Sequence, residues 1–115
     1  MRKQKNDCDG KSISLECSSV KTTLDVIGGK WKPLILFLLH NQTLRFNQLQ
    51  KGIEGITQKM LTQQLRDLEH DKLIVRKVYP EVPPKVEYSI TQFGQTLIPV
   101  FEQMEVWGKT YKKRI

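Results

Sequence analysis

Residues 56–70, ITQKMLTQQLRDLEH, constrain the fold more than any other stretch of this chain. Read as a helix, the segment places Leu61, Leu65 and Leu68 on one side, at the i, i+4, i+7 spacing of a helix that packs on a core. The opposite side is polar, because the same periodicity brings together Lys59, Thr62, Gln63, Arg66 and His70. The segment is therefore predicted to form a helix with one buried and one outward side.

The polar side of this helix allows two interpretations. Lys, Thr, Gln and Arg side chains suit the base edges and phosphates of a DNA groove, since they hydrogen-bond at the right reach. Thr57 is a good N-cap, which places Gln58 and Lys59 beside the free backbone N–H groups of the first turn. Any soluble helix also has a polar side, however, so the helix alone does not decide between DNA and solvent.

The segments around this helix favour the DNA-binding interpretation. Before it, residues 46–53 have apolar side chains at helical spacing, and glycines follow, which is a helix-turn-helix pattern. After it, residues 73–79 and 86–90 have the composition and alternation of two strands. The proline-rich residues 80–85 between the strands predict a projecting hairpin tip, or wing. Residues 43–46 could pair as one more short strand.

Apolar helices are also predicted towards both ends of the chain. Ser18 or Ser19 could cap a short helix that stops at the following Gly-Gly pair. Residues 30–40 are apolar nearly all round and predict a buried helix, with Pro33 in its first turn. The last segment begins after the candidate cap Thr91, and Pro99 must kink or interrupt it because proline lacks an N–H.

The two terminal helices carry more apolar surface than one small core has room for. A chain of 115 residues is expected to form one domain. We predict that these terminal helices of two copies pack across a two-fold axis. The helix over residues 56–70, here called the reading helix, would then lie about 34 Å from its counterpart in the second copy. The alternative is that both apolar sides close the core of a monomer. The predicted dimer interface comprises Val20, Leu24, Ile27, Leu97, Val100, Phe101, Met104, Trp107 and Tyr111.

Charge and hydropathy indicate the class of partner. The chain has 19 Lys and Arg against 12 Asp and Glu, a net charge of +7, which favours DNA, RNA or an anionic membrane surface. The longest apolar run, residues 34–39, is too short to span a bilayer, and the charged first residues do not resemble a signal peptide. We therefore expect a cytoplasmic protein with no membrane partner, whose cysteines are normally thiols.

No pattern in the sequence predicts catalysis, a metal site or a cofactor. A Gly-rich phosphate loop, a nucleophile elbow and a His-Glu-x-x-His helix are all missing. His40 and His70 are far apart, and neither has zinc-ligand spacing from Cys8 or Cys17. The main rival to DNA binding is a winged-helix module that binds another protein. Single-stranded RNA binding is disfavoured because the aromatic residues fall mainly on apolar stripes.

Several motifs, in the same order, resemble the HxlR-type transcriptional regulators of the MarR-like superfamily. The opening signature is a cysteine, a leucine and Ile-Gly-Gly-Lys-Trp, matched here from residue 17 to residue 31. The pattern Ile-Thr-x-Lys-Met-Leu-Thr-x-x-Leu-Arg-x-Leu-Glu matches residues 56–69, and the wing pattern Val-Glu-Tyr-Ser followed by Thr and Gly lies within residues 83–94. Arg45-Phe46 and Trp107-Gly108 also match. The chain departs from the family at Ser18, which is usually proline.

The resemblance implies an α+β, mainly α, winged helix-turn-helix protein that acts as a homodimer on a partly palindromic DNA operator. We divide the chain into a flexible N-terminal arm, residues 1–15, and a winged helix-turn-helix domain with terminal dimerisation helices, residues 16–115. The N-terminal half of the reading helix is expected to enter the major groove of DNA. The wing is expected to contact the flanking sugar-phosphate backbone or the minor groove. The expected DNA-binding residues are Arg45, Thr57, Gln58, Lys59, Thr62, Gln63, Arg66, Arg76, Lys77 and Lys85.

The resemblance also implies a role for Cys17, because many relatives respond to electrophiles or oxidants through the matching cysteine. Cys17 precedes a predicted helix N-terminus and Lys21 is close in sequence, two features that lower a thiol pKa and favour the thiolate. One interpretation is a redox or electrophile switch acting at the dimer interface, and the other is a small, inert buried cysteine. Cys8 is either a resolving partner for Cys17 or an exposed bystander.

Overall fold

The computed structural model describes residues 18–114, so the predicted arm (residues 1–15), Cys8 and Cys17 lie outside the described part of the chain. That part forms helices around a two-stranded antiparallel hairpin. No helix within it is long and apolar enough to cross a lipid bilayer. In chain order, the elements are α1 (Ser19–Ile27), α2 (Trp31–Leu39), α3 (Phe46–Gly52), α4 (Gln58–His70), β1 (Ile74–Tyr79), β2 (Lys85–Ile90), α5 (Gln92–Gln95) and α6 (Ile98–Lys113).

The core forms where α2 and α4 meet. The predicted stripe of α4 is confirmed, since Leu61, Leu65 and Leu68 are all buried. They join three fully buried residues of α2, namely Ile35, Leu36 and Leu39. Complete burial of a leucine or isoleucine side chain contributes about 1.5–3 kcal/mol, so this cluster fixes which side of α4 turns outward.

The helix-turn-helix follows from local capping and a glycine turn. Thr57 Oγ1 accepts a hydrogen bond from the Met60 N–H at 3.1 Å, which confirms Thr57 as the N-cap of α4. Gly55 has a φ of +91°, a conformation that side-chain-bearing residues rarely adopt, and it reverses the chain between α3 and α4. On α3, Leu49 is fully buried and holds that helix against the core.

The predicted hairpin is confirmed, with β1 and β2 paired from Ile74↔Ile90 to Tyr79↔Lys85. The predicted short strand before α3 is a single bridge. Leu44 exchanges two backbone hydrogen bonds with Tyr88, of 3.0 and 2.8 Å, on the free edge of β2. The wing is therefore anchored at its base to the segment that precedes α3.

A Thr-Gly pair joins the base of the wing to the C-terminal helices. Thr91 Oγ1 accepts from the Gly94 N–H at 2.8 Å, and its hydroxyl lies 2.8 Å from the Lys72 carbonyl oxygen. A Cβ on Gly94 would lie 2.2 Å from the backbone oxygen of Leu73, so only glycine fits there. The prediction for Pro99 is also confirmed, because α5 ends at Gln95 and Pro99 sits in the first turn of a new helix, α6.

Two residues of the predicted dimer interface lie inside the core of the single chain. Ile27 is 5% exposed and Phe101 is 1% exposed, and the Phe101 ring packs 5.7 Å from that of Phe37 on α2. Leu97 is half-buried against the same core. Ile27 and Phe101 are therefore covered within the single chain, and the dimer interface as a whole stays a prediction.

Candidate nucleic-acid interface

The polar side of α4 is the central candidate surface. Gln58, Lys59, Gln63 and Arg66 are exposed, as the sequence predicts for a side opposite the buried leucines. Thr62 is half-buried, and its hydroxyl donates to the Gln58 carbonyl oxygen at 2.8 Å. Thr62 can therefore still accept a hydrogen bond but has already used its proton within the helix.

One side chain of this surface has a fixed orientation. The Gln63 amide donates from Nε2 to Asp67 Oδ1 at 3.0 Å, one turn further along α4. Lys32 of α2 approaches the other carboxylate oxygen, Oδ2, at 3.4 Å. Asp67 therefore links an outward side chain of α4 to a neighbouring helix.

A cleft of about 380 Å³ separates α4 from the wing. Arg76 on β1 lies 3.8 Å from the Glu69 carboxylate on α4, so an ion pair spans the cleft. Within residues 18–114, no salt bridge forms to Arg66, which leaves the cleft with excess positive charge. The lining residues are Phe46, Thr62, Leu65, Arg66, Glu69, Arg76 and Tyr88.

Tyr88 lines the floor of this cleft on β2, opposite Arg76 in the strand register. Partial burial raises the pKa of its hydroxyl above the usual value, because desolvation disfavours the phenolate. Arg76 lowers the pKa and Glu69 raises it, and both act less strongly than the burial. Tyr88 is therefore a neutral hydroxyl at physiological pH.

The two lysines predicted on the wing share one aromatic platform. Lys77 Nζ lies 5.0 Å from the centre of the Tyr79 ring, and Lys85 Nζ lies 4.8 Å from it. The Tyr79 hydroxyl donates to the Glu87 carboxylate at 2.9 Å, and Lys85 is 3.5 Å from the same carboxylate. The wing therefore presents its positive charges on an ordered cluster of side chains.

Arg45 lies apart from these groups, at the N-cap of α3. Its side chain is exposed, and its backbone N–H donates to Gln48 Oε1 at 2.8 Å. The structure thus brings Thr62, Arg66 and Arg76 to one cleft and pairs Lys77 with Lys85, whereas Arg45 stands at a separate position.

Sequence reasoning missed three residues of this surface: Lys32, Asp67 and Tyr79. The i, i+4 spacing of Gln63 and Asp67 on a helix was a usable signal for their contact. The alternation of residues 77, 79 and 85 across a hairpin was a weaker signal for the Tyr79 platform. No local pattern placed Lys32 near Asp67, because the contact joins two different helices.

Apolar side chains are exposed on both terminal helices, α1 and α6. Val20 and Leu24 on α1 are 69% and 58% exposed, and Trp107 on α6 is 65% exposed. The Trp107 ring stacks on that of Tyr111, with centroids 5.4 Å apart. Val100 and Met104 are exposed on the same helix. We call Val20, Leu24, Val100, Met104, Trp107 and Tyr111 the terminal apolar surface.

A helix-turn-helix with an outward polar second helix, followed by a β-hairpin, defines the winged helix-turn-helix class. The family model described as "HxlR-like helix-turn-helix" matches residues 26–115. The chain therefore belongs to the HxlR-like helix-turn-helix family. It is a transcriptional regulator of the helix-turn-helix type and not an enzyme.

Individual relatives agree with this assignment. The chain is 53% identical over 115 residues to the uncharacterized HTH-type transcriptional regulator YdeP of Bacillus subtilis, covering 100% of this chain and 90% of YdeP. The solved structure of the redox regulator HypR in its reduced form superposes with a TM-score of 0.78 at 50% identity, covering 83% of this chain and 94% of HypR. The reduced form of the transcriptional regulator YodB from B. subtilis gives a TM-score of 0.72 at 31% identity, covering 87% of this chain and 95% of YodB.

Proposed function

We propose that this protein binds double-stranded DNA sequence-specifically, as a homodimer on a palindromic operator, and that thiol oxidation or electrophile modification of Cys17 switches this binding. The observation that carries the DNA-binding part is the division of α4 into two sides. Its leucines are buried, and this leaves Gln58, Lys59 and Gln63 in the N-terminal half of the helix exposed beside a basic wing. Such a helix fits the major groove, where polar side chains reach base edges.

The contacts divide between reading and positioning roles. Gln58, Lys59 and Gln63 are assigned to base edges and nearby phosphates, because they project from the first turns of α4. Lys77 and Lys85 are assigned to the flanking sugar-phosphate backbone, since the Tyr79 platform holds both at the wing. Arg66 and Arg76 meet phosphates at the cleft, and Arg45 meets one at the start of α3. Thr57 and Thr62 add contacts near the helix N-terminus.

The homodimer is supported by the terminal apolar surface. Exposed tryptophan and leucine side chains grouped on two helices are a common mark of a protein interface. The two-fold axis of a dimer matches the repeat of a palindromic operator, so each α4 reads one half-site. With Ile27 and Phe101 in the core, the proposed interface consists of the outer residues of α1 and α6.

The switch is supported by the relatives and by the position of Cys17 in the sequence. HypR is described as a redox regulator and has been solved in reduced and oxidised forms, and YodB has been solved after diamide treatment. Ser18 caps α1, and Cys17 is the residue before this cap in the sequence. A helix N-terminus favours the thiolate form of a nearby cysteine. The expected help from Lys21 is reduced, because its ammonium pairs with Asp25 at 2.7 Å.

The testing experiment selects genomic DNA fragments with purified protein, first reduced and then after a mild thiol oxidant, and sequences the bound fragments. We expect one palindromic motif whose recovery changes on oxidation. Cys17→Ser is expected to bind the same motif and to ignore the oxidant. Cys8→Ser is tested beside it, because a retained oxidant response identifies Cys8 as a bystander and a lost response identifies it as a resolving partner.

Three results separate the parts of this proposal. A motif that responds equally to oxidant in wild type and Cys17→Ser would remove the switch from Cys17. A motif indifferent to oxidant would leave a DNA-binding regulator without a thiol switch. The absence of any enriched motif in either state would favour a winged helix that binds another protein.

A further inference from the structure

A short chain of polar contacts runs from α2 to the outward side of α4. Its centre is the Asp67 carboxylate, whose Oδ1 accepts a hydrogen bond from Gln63 Nε2 at 3.0 Å and whose Oδ2 lies 3.4 Å from Lys32 Nζ. The Lys32 side chain is only 13% exposed, so packing holds its ammonium in place. The Asp67 carboxylate is therefore anchored from behind by a charge that belongs to another helix.

This arrangement fixes which end of the Gln63 amide faces outward. An ionised carboxylate has no proton to donate, so the amide nitrogen and not the amide oxygen must face Asp67. Gln63 keeps its carbonyl oxygen and its second N–H for other partners. One acceptor beside one donor pairs with the N6 amino group and N7 of adenine in the major groove. An unrestrained glutamine also samples the reversed amide, which presents donor and acceptor in the opposite order.

We propose that Asp67 is a positioning residue that makes Gln63 select adenine, with Lys32 holding the carboxylate in place. This inference rests on the proposed sequence-specific binding of DNA by α4 and names the base class that one of its residues reads. Lys32 has a second effect, because its positive charge offsets the carboxylate that would otherwise repel nearby phosphates.

A purely structural role for Asp67 predicts a different result. Glutamine and aspartate one turn apart also support a helix by themselves, and a salt bridge between α2 and α4 supports the fold. Loss of either contact would change thermal stability and leave the base preference of the folded protein unchanged. Base preference at the position opposite Gln63 is therefore the decisive measurement.

The experiment is a selection from randomised DNA duplexes with the full chain, followed by sequencing of the bound pool. Gln63→Ala identifies the base pair that Gln63 reads, because the base preference of the protein disappears at that position of the selected DNA. For Asp67→Asn we expect the adenine preference at that position to fall by about three- to tenfold, because an asparagine side chain both donates and accepts and so tolerates either orientation of the glutamine amide. The double variant, Gln63→Ala with Asp67→Asn, is expected to show the same base preferences as Gln63→Ala alone, since Asp67 acts only through Gln63.

Two further variants keep the test sharp. Lys32→Met keeps Gln63 and Asp67 and removes the ammonium that anchors the carboxylate. We expect a smaller loss of adenine preference at the same position than in Asp67→Asn. Lys32→Met also replaces Asp67→Asn if the latter fails to melt cooperatively. Glu102→Gln removes one negative charge, as Asp67→Asn does, at an exposed position of α6. It is expected to leave every base preference unchanged.

The outcomes distinguish this inference from the proposed function. An unchanged adenine preference in folded Asp67→Asn and Lys32→Met, with the preference lost in Gln63→Ala, overturns the role of Asp67. A base other than adenine at the Gln63 position also overturns it and leaves sequence-specific binding intact. Failure of the wild type to select any sequence overturns the proposed function, and the inference falls with it.

Discussion

The two exposed surfaces of this molecule differ in chemistry although both lie on helices. The outward side of α4 carries amide, hydroxyl and basic side chains, and two of them are hydrogen-bonded within the helix, Thr62 to the Gln58 carbonyl oxygen and Gln63 to Asp67. The terminal apolar surface carries valine, leucine, methionine and aromatic side chains, and the Trp107 ring stacks on Tyr111 of its own helix. Exposure therefore says little until the chemistry of the surface is considered.

The difference indicates two kinds of partner. The polar α4 surface is stable in water, and its proposed attraction to DNA would be electrostatic and screened by salt. Contact with water disfavours the terminal apolar surface, and in the proposed dimer its burial would be driven by the hydrophobic effect, which salt does not screen. The two interactions should respond to different perturbations. Three predictions test this, and a fourth tests the environment of Tyr88 in the cleft beside α4.

Salt should separate the two surfaces most strongly. If a dimer neutralises about six to ten phosphates, DNA affinity falls by about 10³–10⁵ between roughly 50 and 200 mM salt, whereas dimerisation weakens little. Fluorescence anisotropy with a labelled operator measures the first quantity, and sedimentation at the same salt concentrations measures the second. Parallel losses in both would show that the terminal helices associate through charge.

Trp107→Glu should break the apolar surface. A buried carboxylate at the interface favours the monomer, and a monomer that reads one half-site loses DNA affinity by about 10²–10⁴. Light scattering measures the mass, and anisotropy measures the affinity. Lys109→Gln alters the charge of α6 equally without removing apolar area and should remain a dimer. A dimeric Trp107→Glu would place the interface elsewhere.

Lys59→Ala should weaken DNA binding and leave the fold and the dimer unchanged. Loss of one contact at a base or phosphate costs about 1–3 kcal/mol of binding, whereas an exposed substitution changes stability by less than about 0.5 kcal/mol. Leu65→Ala on the other side of α4 is the control, because it should lose about 2–5 kcal/mol of unfolding free energy. Equal DNA affinity for Lys59→Ala and wild type would remove Lys59 from the interface.

Tyr88→Phe should have the smallest effect, confined to alkaline pH. Burial raises the Tyr88 pKa above its usual value of 10.0, so the unfolded chain loses the hydroxyl proton before the folded one does. The stabilisation is complete below pH 10 and is lost as pH rises through the raised pKa. Denaturant titrations across that range should show a shallower decline for Tyr88→Phe. Identical declines would mean that the floor of the cleft is hydrated.

The sequence predicted the reading of α4 and the wing as helix and hairpin well, because their causes are local. The leucine spacing of α4, the Thr57 cap and the prolines between the strands each act within a few residues, and the helix and hairpin lie where those signals place them. The interruption at Pro99 was predictable for the same reason, since the missing N–H is a property of that residue alone.

The apolar residues of the terminal helices were harder to assign. Periodicity groups Phe101 with Met104 and Ile27 with Leu24, and it gives no measure of how deeply each is covered. Depth is decided by α2, whose Phe37 packs on Phe101 and leaves Met104 outside. Periodicity thus treats one side of a helix as one environment, whereas the single chain buries Phe101 and leaves Met104 exposed.

The sequence by itself determined the winged helix-turn-helix, the polar side of α4 and the basic charge of the wing. Those features depend on residue type and on spacing along the chain. Only the tertiary structure decided that Arg66 and Arg76 share a cleft and that Lys32 reaches Asp67 behind Gln63. Contacts between separate helices depend on how the core packs, and core packing is a property of the whole chain.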